Sequence, residues 1–221
     1  MCSQFFSHPD VPLQDHLKEV AQRSEKIIHS LPLSNEKTLI AKASYIIGLS
    51  HDFGKYTSFF QRHLLKNEKV KGSEHSFLSA LFAAWNLQLL KEVEILPLIG
   101  FFVVLRHHSD LSFPEDEIPP SRFLKDPPDF LDAPPKHRER LVTAMKQIAD
   151  IKRNAYSEIK SFEVKEGLPN IDEFLNNGWF ETLKELRSLW RKFANNRENL
   201  QKRIEIFWLT VLLYSVLIDS D

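Results

Sequence analysis

Apolar residues recur at helical spacing along most of the chain. The first such stripe runs from Leu13 to Leu31 and stops at Pro32, since proline cannot continue a helix. The chain has only six glycines and no long alternation of apolar and polar positions, which is the pattern that favours strands. The sequence therefore predicts an all-α fold. The predicted helices are Leu13 to Leu31, about Ser34 to Ser50, one that begins at Thr57 or Ser58, Ser73 to Leu90, Glu94 to His107, Pro135 to about Glu166, Ile171 to Ala194 and Asn199 to Ile218.

One long segment, residues 109–135, breaks the helical pattern. It holds seven of the twelve prolines, so it cannot continue a helix. Loops of this length inside a compact domain are usually functional or disordered. The segment begins directly after His107-His108 and is rich in acidic residues, namely Asp110, Glu115, Asp116, Glu117, Asp126 and Asp129. We expect this long proline-rich loop to be a lid or a protein-docking segment rather than a DNA-binding surface; a passive linker is the alternative.

The composition is that of an ordinary globular protein. A chain of 221 residues with 43% hydrophobic content can bury a sizeable core and fits one domain, residues 1–221. Its 29 basic and 30 acidic residues nearly cancel, so a nucleic-acid site would have to be a local patch. The single Cys2, the absence of a signal-peptide pattern and apolar runs too short for a bilayer predict a cytoplasmic protein that does not enter a membrane.

The candidate chemistry centres on the dipeptide His51-Asp52. His16 precedes it, His75 and the pair His107-His108 follow, and Asp219 and Asp221 close the chain. Imidazole and carboxylate suit borderline divalent metals, and one carboxylate can bridge two of them. Several of these histidines fall on apolar segments, where an unpaired polar group is costly unless it binds a partner. A metal site is thus the preferred interpretation, with unrelated buried histidines as the alternative. His8, His29, His63 and His137 fit no such pattern.

The order of these motifs resembles the HD nuclease of type I CRISPR interference, the nuclease part of the CRISPR-associated helicase–nuclease. The similarity rests on LQDHLKEV around His16, HDFGKYTSFFQ from His51, EHSFLSALFA around His75, the double histidine, and YSVLIDSD at the end. The double histidine together with HDxGK is more specific than HD alone. The chain has no GxxxxGK[ST] phosphate loop, so it contains no helicase domain, and any helicase must be a separate protein or a missing part.

The resemblance implies an HD-domain helical bundle with two divalent metal ions, drawn from Mn, Fe, Co, Ni or Mg. It assigns His16, His51, Asp52 and the terminal aspartate to one metal, and Asp52, His75, His107 and His108 to the other, so that Asp52 bridges. Asp221 fits the family pattern better than Asp219, which stays the alternative. Lys55 would neutralise charge in the transition state. Weaker candidates for the site are Ser76 and Ser79, which could orient a ligand histidine, and Arg106, which could meet a phosphate. The aromatic and basic cluster LWRKFANNR with Lys202 and Arg203 is a weaker candidate for contact with a DNA strand.

The functional expectation is a metal-dependent nuclease for single-stranded DNA in antiviral CRISPR interference. Its implied partners are single-stranded DNA, a CRISPR helicase and a target-surveillance complex. The first alternative is an HD phosphohydrolase acting on nucleotides, since it would use the same metal chemistry. A non-enzymatic docking module is the second, and the full ligand set argues against it.

Overall fold

The computed structural model describes residues 5–33, 36–111, 117–125, 132–195 and 200–221. Several sequence predictions fall outside these ranges. They concern Cys2, the predicted start of the second helix at Ser34, and the loop residues Pro114, Glu115, Asp116, Asp126, Pro127, Pro128 and Asp129.

The fold is all-α, as the pattern predicts, with about 74% of the described residues in helices. The helices are α1 (Leu13–Ser30), α2 (Lys37–Ser50), α3 (Ser58–Lys66), α4 (Ser76–Leu87), α5 (Leu96–Arg106), α6 (Pro135–Asn154), α7 (Tyr156–Glu166), α8 (Ile171–Glu173), α9 (Trp179–Asn195) and α10 (Leu200–Ser220). Single 3₁₀ turns occupy Phe53–Tyr56 and Ser121–Phe123. The described residues include one small antiparallel hairpin, β1 (Phe6–His8) with β2 (Val11–Pro12).

Two of the predicted long helices are interrupted. The predicted helix from Pro135 to Glu166 divides at Ala155 into α6 and α7. The predicted helix from Ile171 to Ala194 contains a π-helical turn, Phe174–Gly178, between α8 and α9. Inside that turn, a Cβ on Gly178 would lie 3.0 Å from the Trp85 ring and 3.0 Å from the Glu173 carbonyl. Close packing at Gly178 thus accompanies the π-helical turn.

A single large apolar core joins the helices that carry the candidate site. Helix α5 is buried from Leu96 to Leu105, and α4 is buried nearly throughout. Helices α1 and α2 pack in close contact, since a Cβ on Gly48 would lie 2.5 Å from the Cα of Ala21. Across the described residues, no helix combines the length and the apolar character needed to span a membrane.

The proline-rich segment is anchored where the structure describes it. Ile118, Phe123, Leu124 and Ala133 are buried. Glu117 is 2% exposed and pairs with Arg106, Lys136 and Arg140. These three partners neutralise the charge of Glu117 within the protein. It is therefore not a free acidic group of the loop, as the sequence alone suggested.

Candidate metal centre

Five helices bring their ends or faces to one point of the fold. His16 lies in the first turn of α1, His51-Asp52 follow α2, and His75 is the residue before α4. His107-His108 follow α5, and Asp221 follows α10. Because these side chains come from five different helices, their convergence depends on the packing of the whole bundle.

The first group of donors consists of His16, His51, Asp52 and Asp221. The Nε2 atoms of His16 and His51 lie 3.2 Å apart, and Asp221 Oδ1 lies 3.1 and 3.2 Å from them. Asp52 Oδ2 lies 3.4 Å from both nitrogens. Asp219 is exposed and lies outside both donor groups of the described residues, so the geometry selects Asp221 of the two terminal carboxylates.

The second group consists of Asp52, His75, His107 and His108. Asp52 Oδ1 lies 3.1 Å from His75 Nε2 and 3.5 Å from His107 Nε2. The Nε2 atoms of His75 and His108 are 3.0 Å apart. His51 and His107 are buried, whereas His108 and Asp221 are exposed. The two groups therefore open to solvent on the side of His108 and Asp221.

These residues fit a pair of divalent cations. Ligands bound at roughly 2.0–2.1 Å in tetrahedral or octahedral geometry lie about 3.0–3.4 Å apart, close to the observed spacings. Asp52 turns one oxygen to each group. Both of its oxygens and His107 Nε2 are buried and lack a hydrogen bond of normal geometry among the described residues. Buried polar atoms without such partners are rare, and metal coordination would account for them.

Two backbone carbonyls orient the buried imidazoles. Nδ1 of His51 lies 2.7 Å from the carbonyl of Gly48, and Nδ1 of His107 lies 2.6 Å from the carbonyl of Val104. Each Nδ1–H donates to its carbonyl, so the neutral ring presents the lone pair of Nε2 to the centre.

The first group holds protons strongly. Burial alone would lower the pKa of His51, but the charges of Asp52 and Asp221 outweigh burial and raise the pKa to about 10. At His16, burial would also lower the pKa, but the hydrogen bonds with Asp221 and Asp52 outweigh burial and raise it. Burial would raise the pKa of Asp221, but hydrogen bonds from His16 and His51 hold it well below its usual range. A metal ion entering this group would displace protons.

In the second group, the pKa values of His75 and His108 are lowered rather than raised. Burial lowers the pKa of His75, and Asp52 only partly offsets it. Burial and the neighbouring His107 and His75 lower the pKa of His108 to about 4. His75 and His108 are therefore neutral near pH 7, which is the state that binds a metal.

Lys55 lies against the bridging carboxylate. Its Nζ is 2.6 Å from Asp52 Oδ2 and donates a hydrogen bond of 3.3 Å to the carbonyl of Ser7. With 4% of its surface exposed, Lys55 has little area to offer a phosphate. Its direct contact is with Asp52, so it would act by holding that carboxylate; its proposed role in transition-state neutralisation stays a prediction.

Other candidates from the sequence hold the turn after His51-Asp52 or lie at the edge of the site. Ser79 Oγ accepts a hydrogen bond of 2.8 Å from the amide of Gly54. A Cβ on Gly54 would lie 2.4 Å from the His75 carbonyl, so this turn packs directly on His75. Arg106 is engaged with Glu117 at 2.5 Å.

His8 and Gln61 are features of the site that the sequence did not indicate. The His8 ring lies 5.4 Å from the His16 ring, at the exposed edge of the first group. Gln61 fixes the hairpin: it accepts from the amide of Phe6 (3.1 Å) and donates to the carbonyls of Phe6 (2.9 Å) and Lys55 (2.8 Å). The Phe-Gln at the end of the HDFGKYTSFFQ run was the only available signal for Gln61.

Comparison with known proteins gives one partial similarity. No protein-family model matches the chain. A stretch of 61 residues is 36% identical to the CRISPR-associated endonuclease Cas3-HD of Pyrococcus furiosus. The stretch covers 28% of this chain and 26% of that protein, so the similarity spans about a quarter of the relative. The chain therefore combines a helical fold and two groups of possible metal ligands with a similarity that is confined to this 61-residue stretch.

Proposed function

We propose that the protein is a two-metal nuclease that hydrolyses phosphodiester bonds of single-stranded DNA. The observation that carries this proposal is the position of Asp52 between two donor groups, with Oδ2 facing one and Oδ1 facing the other. A pair of metals bridged in this way can stabilise both the attacking and the leaving oxygen of a phosphoryl transfer. The partial similarity to a protein named as a CRISPR-associated endonuclease supports nuclease activity, and single-stranded DNA as the substrate is part of the proposal.

The protein's own residues would have three tasks in this reaction. Asp52, Asp221 and the five histidines would hold the cations, and Lys55 would fix Asp52. The carbonyls of Gly48 and Val104 keep two imidazoles in the orientation that ligates. The exposed side, at His108 and Asp221, would admit the scissile phosphate. The bound cations would supply Lewis-acid stabilisation and a lowered pKa for water.

The wider role in CRISPR interference belongs to the same proposal. A helicase and a target-surveillance complex are the expected partners, since a single-strand nuclease needs another protein to expose a strand. Such partners would act in the cytoplasm.

The test compares two substrate classes with one preparation. Purified protein with Mn²⁺ or Ni²⁺ is incubated with circular single-stranded DNA and, separately, with a panel of nucleotides and cyclic nucleotides. We expect cleavage of the circle, abolished by chelator and by Asp52→Ala. Hydrolysis of a nucleotide without cleavage of DNA would replace the proposal with the phosphohydrolase alternative.

A further inference from the structure

A cleft of about 510 Å³ lies between α3 and α6, outside the metal centre. It is lined by Phe59, Lys71, Gly72, Pro135, Arg138, Glu139, Val142, Thr143 and Lys146. Its volume is in the range of pockets that hold a small-molecule-sized group. We call it the α3–α6 cleft.

The α3–α6 cleft carries a local positive charge, although the protein as a whole is nearly neutral. Helix α6 carries six Lys or Arg residues against Glu139 and Asp150, a formal charge of +4, whereas the whole chain has a net charge of −1. Lys71, Arg138 and Lys146 line the cleft itself, and its one acidic residue is Glu139, 3.6 Å from Lys71. The N-terminus of α6, at Pro135, adds the positive end of a helix dipole.

An aromatic ring lies among these charges. Phe59 is partly exposed in the cleft, and the guanidinium of Arg62 lies 5.9 Å from its ring centroid. Basic grooves with an accessible aromatic ring are the usual means of binding single-stranded nucleic acid, because the cations contact phosphates and a base stacks on the ring.

The walls of the cleft are fixed by buried hydrogen bonds. Ser58 donates through its amide and its hydroxyl to Asp150, at 2.6 and 2.7 Å, which joins α3 to α6. Gln147 donates to the carbonyls of Gly72 (2.9 Å) and Glu74 (2.6 Å). The cleft is thus preformed.

The same segments lead from the cleft to the metal centre. Gly72 lines the cleft and is three residues before His75, a separation of at most roughly 10 Å along the chain. On α3, Phe60 follows Phe59, and its ring lies 5.2 Å from the ring of His75. The path from the cleft to the second donor group is therefore short.

From these observations we infer that the α3–α6 cleft binds the backbone of a single-stranded DNA and directs it to the second donor group. The inference rests on the proposed function for the identity of the reaction, while the binding itself can be measured without catalysis. Lys71, Arg138 and Lys146 contact phosphates, and Phe59 stacks with a base.

The test removes two charges inside the cleft and two outside it. Arg138→Gln with Lys146→Gln is compared with Arg23→Gln with Lys26→Gln, an exposed pair on α1. Both double variants lose the same charge, so only its location differs. Binding of labelled oligo(dT) and of a blunt duplex is followed by fluorescence anisotropy, with chelator present to prevent cleavage. Circular dichroism and Mn²⁺-dependent hydrolysis of bis(p-nitrophenyl) phosphate report on the fold and the metal centre.

We expect the cleft pair to weaken oligo(dT) binding by at least tenfold, and the α1 pair by less than twofold. The salt dependence of log K should become shallower by about 1.4 for the cleft pair, since two phosphate contacts are lost. Phe59→Ala should weaken binding by about fivefold or more. The duplex should bind more weakly than the single strand.

Equal losses in the two double variants, or no binding of oligo(dT) by the wild type, would overturn the cleft assignment. The phosphodiester assay separates this from failure of the proposed function. If the wild type binds oligo(dT) through the cleft but hydrolyses no phosphodiester with any divalent metal, the nuclease proposal fails and the binding site stands.

Discussion

Asp52 is the residue on which both donor groups depend. It is fully buried, five cationic or imidazole groups surround it, and each of its oxygens faces a different group. Burial would raise its pKa, but His51 and the other imidazoles hold the pKa well below the usual range. Asp52 therefore stays ionised, as a bridging ligand must.

Replacing Asp52 should damage activity more than replacing one ligand of a single group. We predict that Asp52→Ala abolishes cleavage at saturating Mn²⁺, whereas His16→Ala leaves the second group intact and retains measurable turnover. Losing a residue that only supports a ligand typically costs 10–100-fold, and we expect the loss for Asp52→Ala to exceed this range. Turnover and metal content are measured together, with circular dichroism as the control. Wild-type activity in Asp52→Ala would show that Asp52 is not the bridge.

The two terminal aspartates provide a matched pair. Asp221 Oδ1 lies 3.1 Å from His16 Nε2, whereas Asp219 is exposed and belongs to neither group. We predict that Asp221→Ala loses one metal equivalent and most activity, while Asp219→Ala keeps both. Elemental analysis of the two variants makes the comparison, and the reverse order of effects would reassign the ligand.

At the scale of residues, sequence motifs named the side chains that the structure brings together in the two donor groups. They did not name residues that only the fold brings into contact with the site. HD, the double histidine and the spacing to His16 and His75 named every residue of the two donor groups. His8 had no such motif, and it lies beside His16 only because β1 and β2 fold back over the start of α1.

At the scale of elements, Glu117 connects the segment after α5 to the start of α6. It pairs with Arg106 at 2.5 Å, with Lys136 at 3.0 Å and with Arg140. Burial would raise the pKa of Glu117, but hydrogen bonds from Arg140 and Lys136 lower it. The described part of the proline-rich segment is thus attached to α6 by charge.

This attachment predicts a pH-dependent contribution to stability. Because the pKa of Glu117 is lower in the folded state, its contribution is present above its unfolded pKa, near 4.5, and is lost as the pH falls through the folded value. We expect Glu117→Gln to lower the free energy of unfolding by about 1–3 kcal/mol at pH 7, and by progressively less below about pH 4.5. Denaturant unfolding across pH measures this, with the exposed Glu139→Gln as control. A loss that stays constant down to pH 3 would contradict the assignment.

Helix existence was easier to predict than helix continuity. The stripe of α1 is long and regular, and its bounds agree with the pattern to within about one residue, whereas α10 contains a continuous apolar run and ends two residues later than predicted. The break at Ala155 carries no proline or glycine, and the π turn before Trp179 follows from contact with Trp85. The close approach of Trp85 to Gly178 joins residues far apart in the sequence, and a local pattern does not record it.

At the scale of the whole molecule, the balance of charge bears on substrate choice. The net charge is −1, so long-range attraction to duplex DNA is weak, and the basic residues of α6 form a local surface instead. The sequence offered LWRKFANNR only as a weaker candidate, and it cannot show that Phe59, Lys71 and Lys146 share one cleft.

We predict that cleavage prefers single-stranded DNA and that duplex is attacked only after another protein unwinds it. The near-zero net charge gives the protein little general affinity for duplex, whereas the basic α3–α6 cleft offers a local site for one strand. Initial rates are measured on matched single-stranded and blunt duplex substrates with Mn²⁺ and no ATP, and we expect at least a tenfold difference. Equal rates would contradict the model in which a strand is delivered to the site.

The central claim is that Asp52 bridges two cations, and electron paramagnetic resonance of the Mn²⁺-loaded protein tests it most directly. Two Mn²⁺ ions per chain joined by one carboxylate should show a spin-coupled signal, and Asp52→Asn should lose the coupling. A wild-type protein that binds one Mn²⁺ per chain, or two with the six-line signal of isolated ions, would contradict the bridged centre.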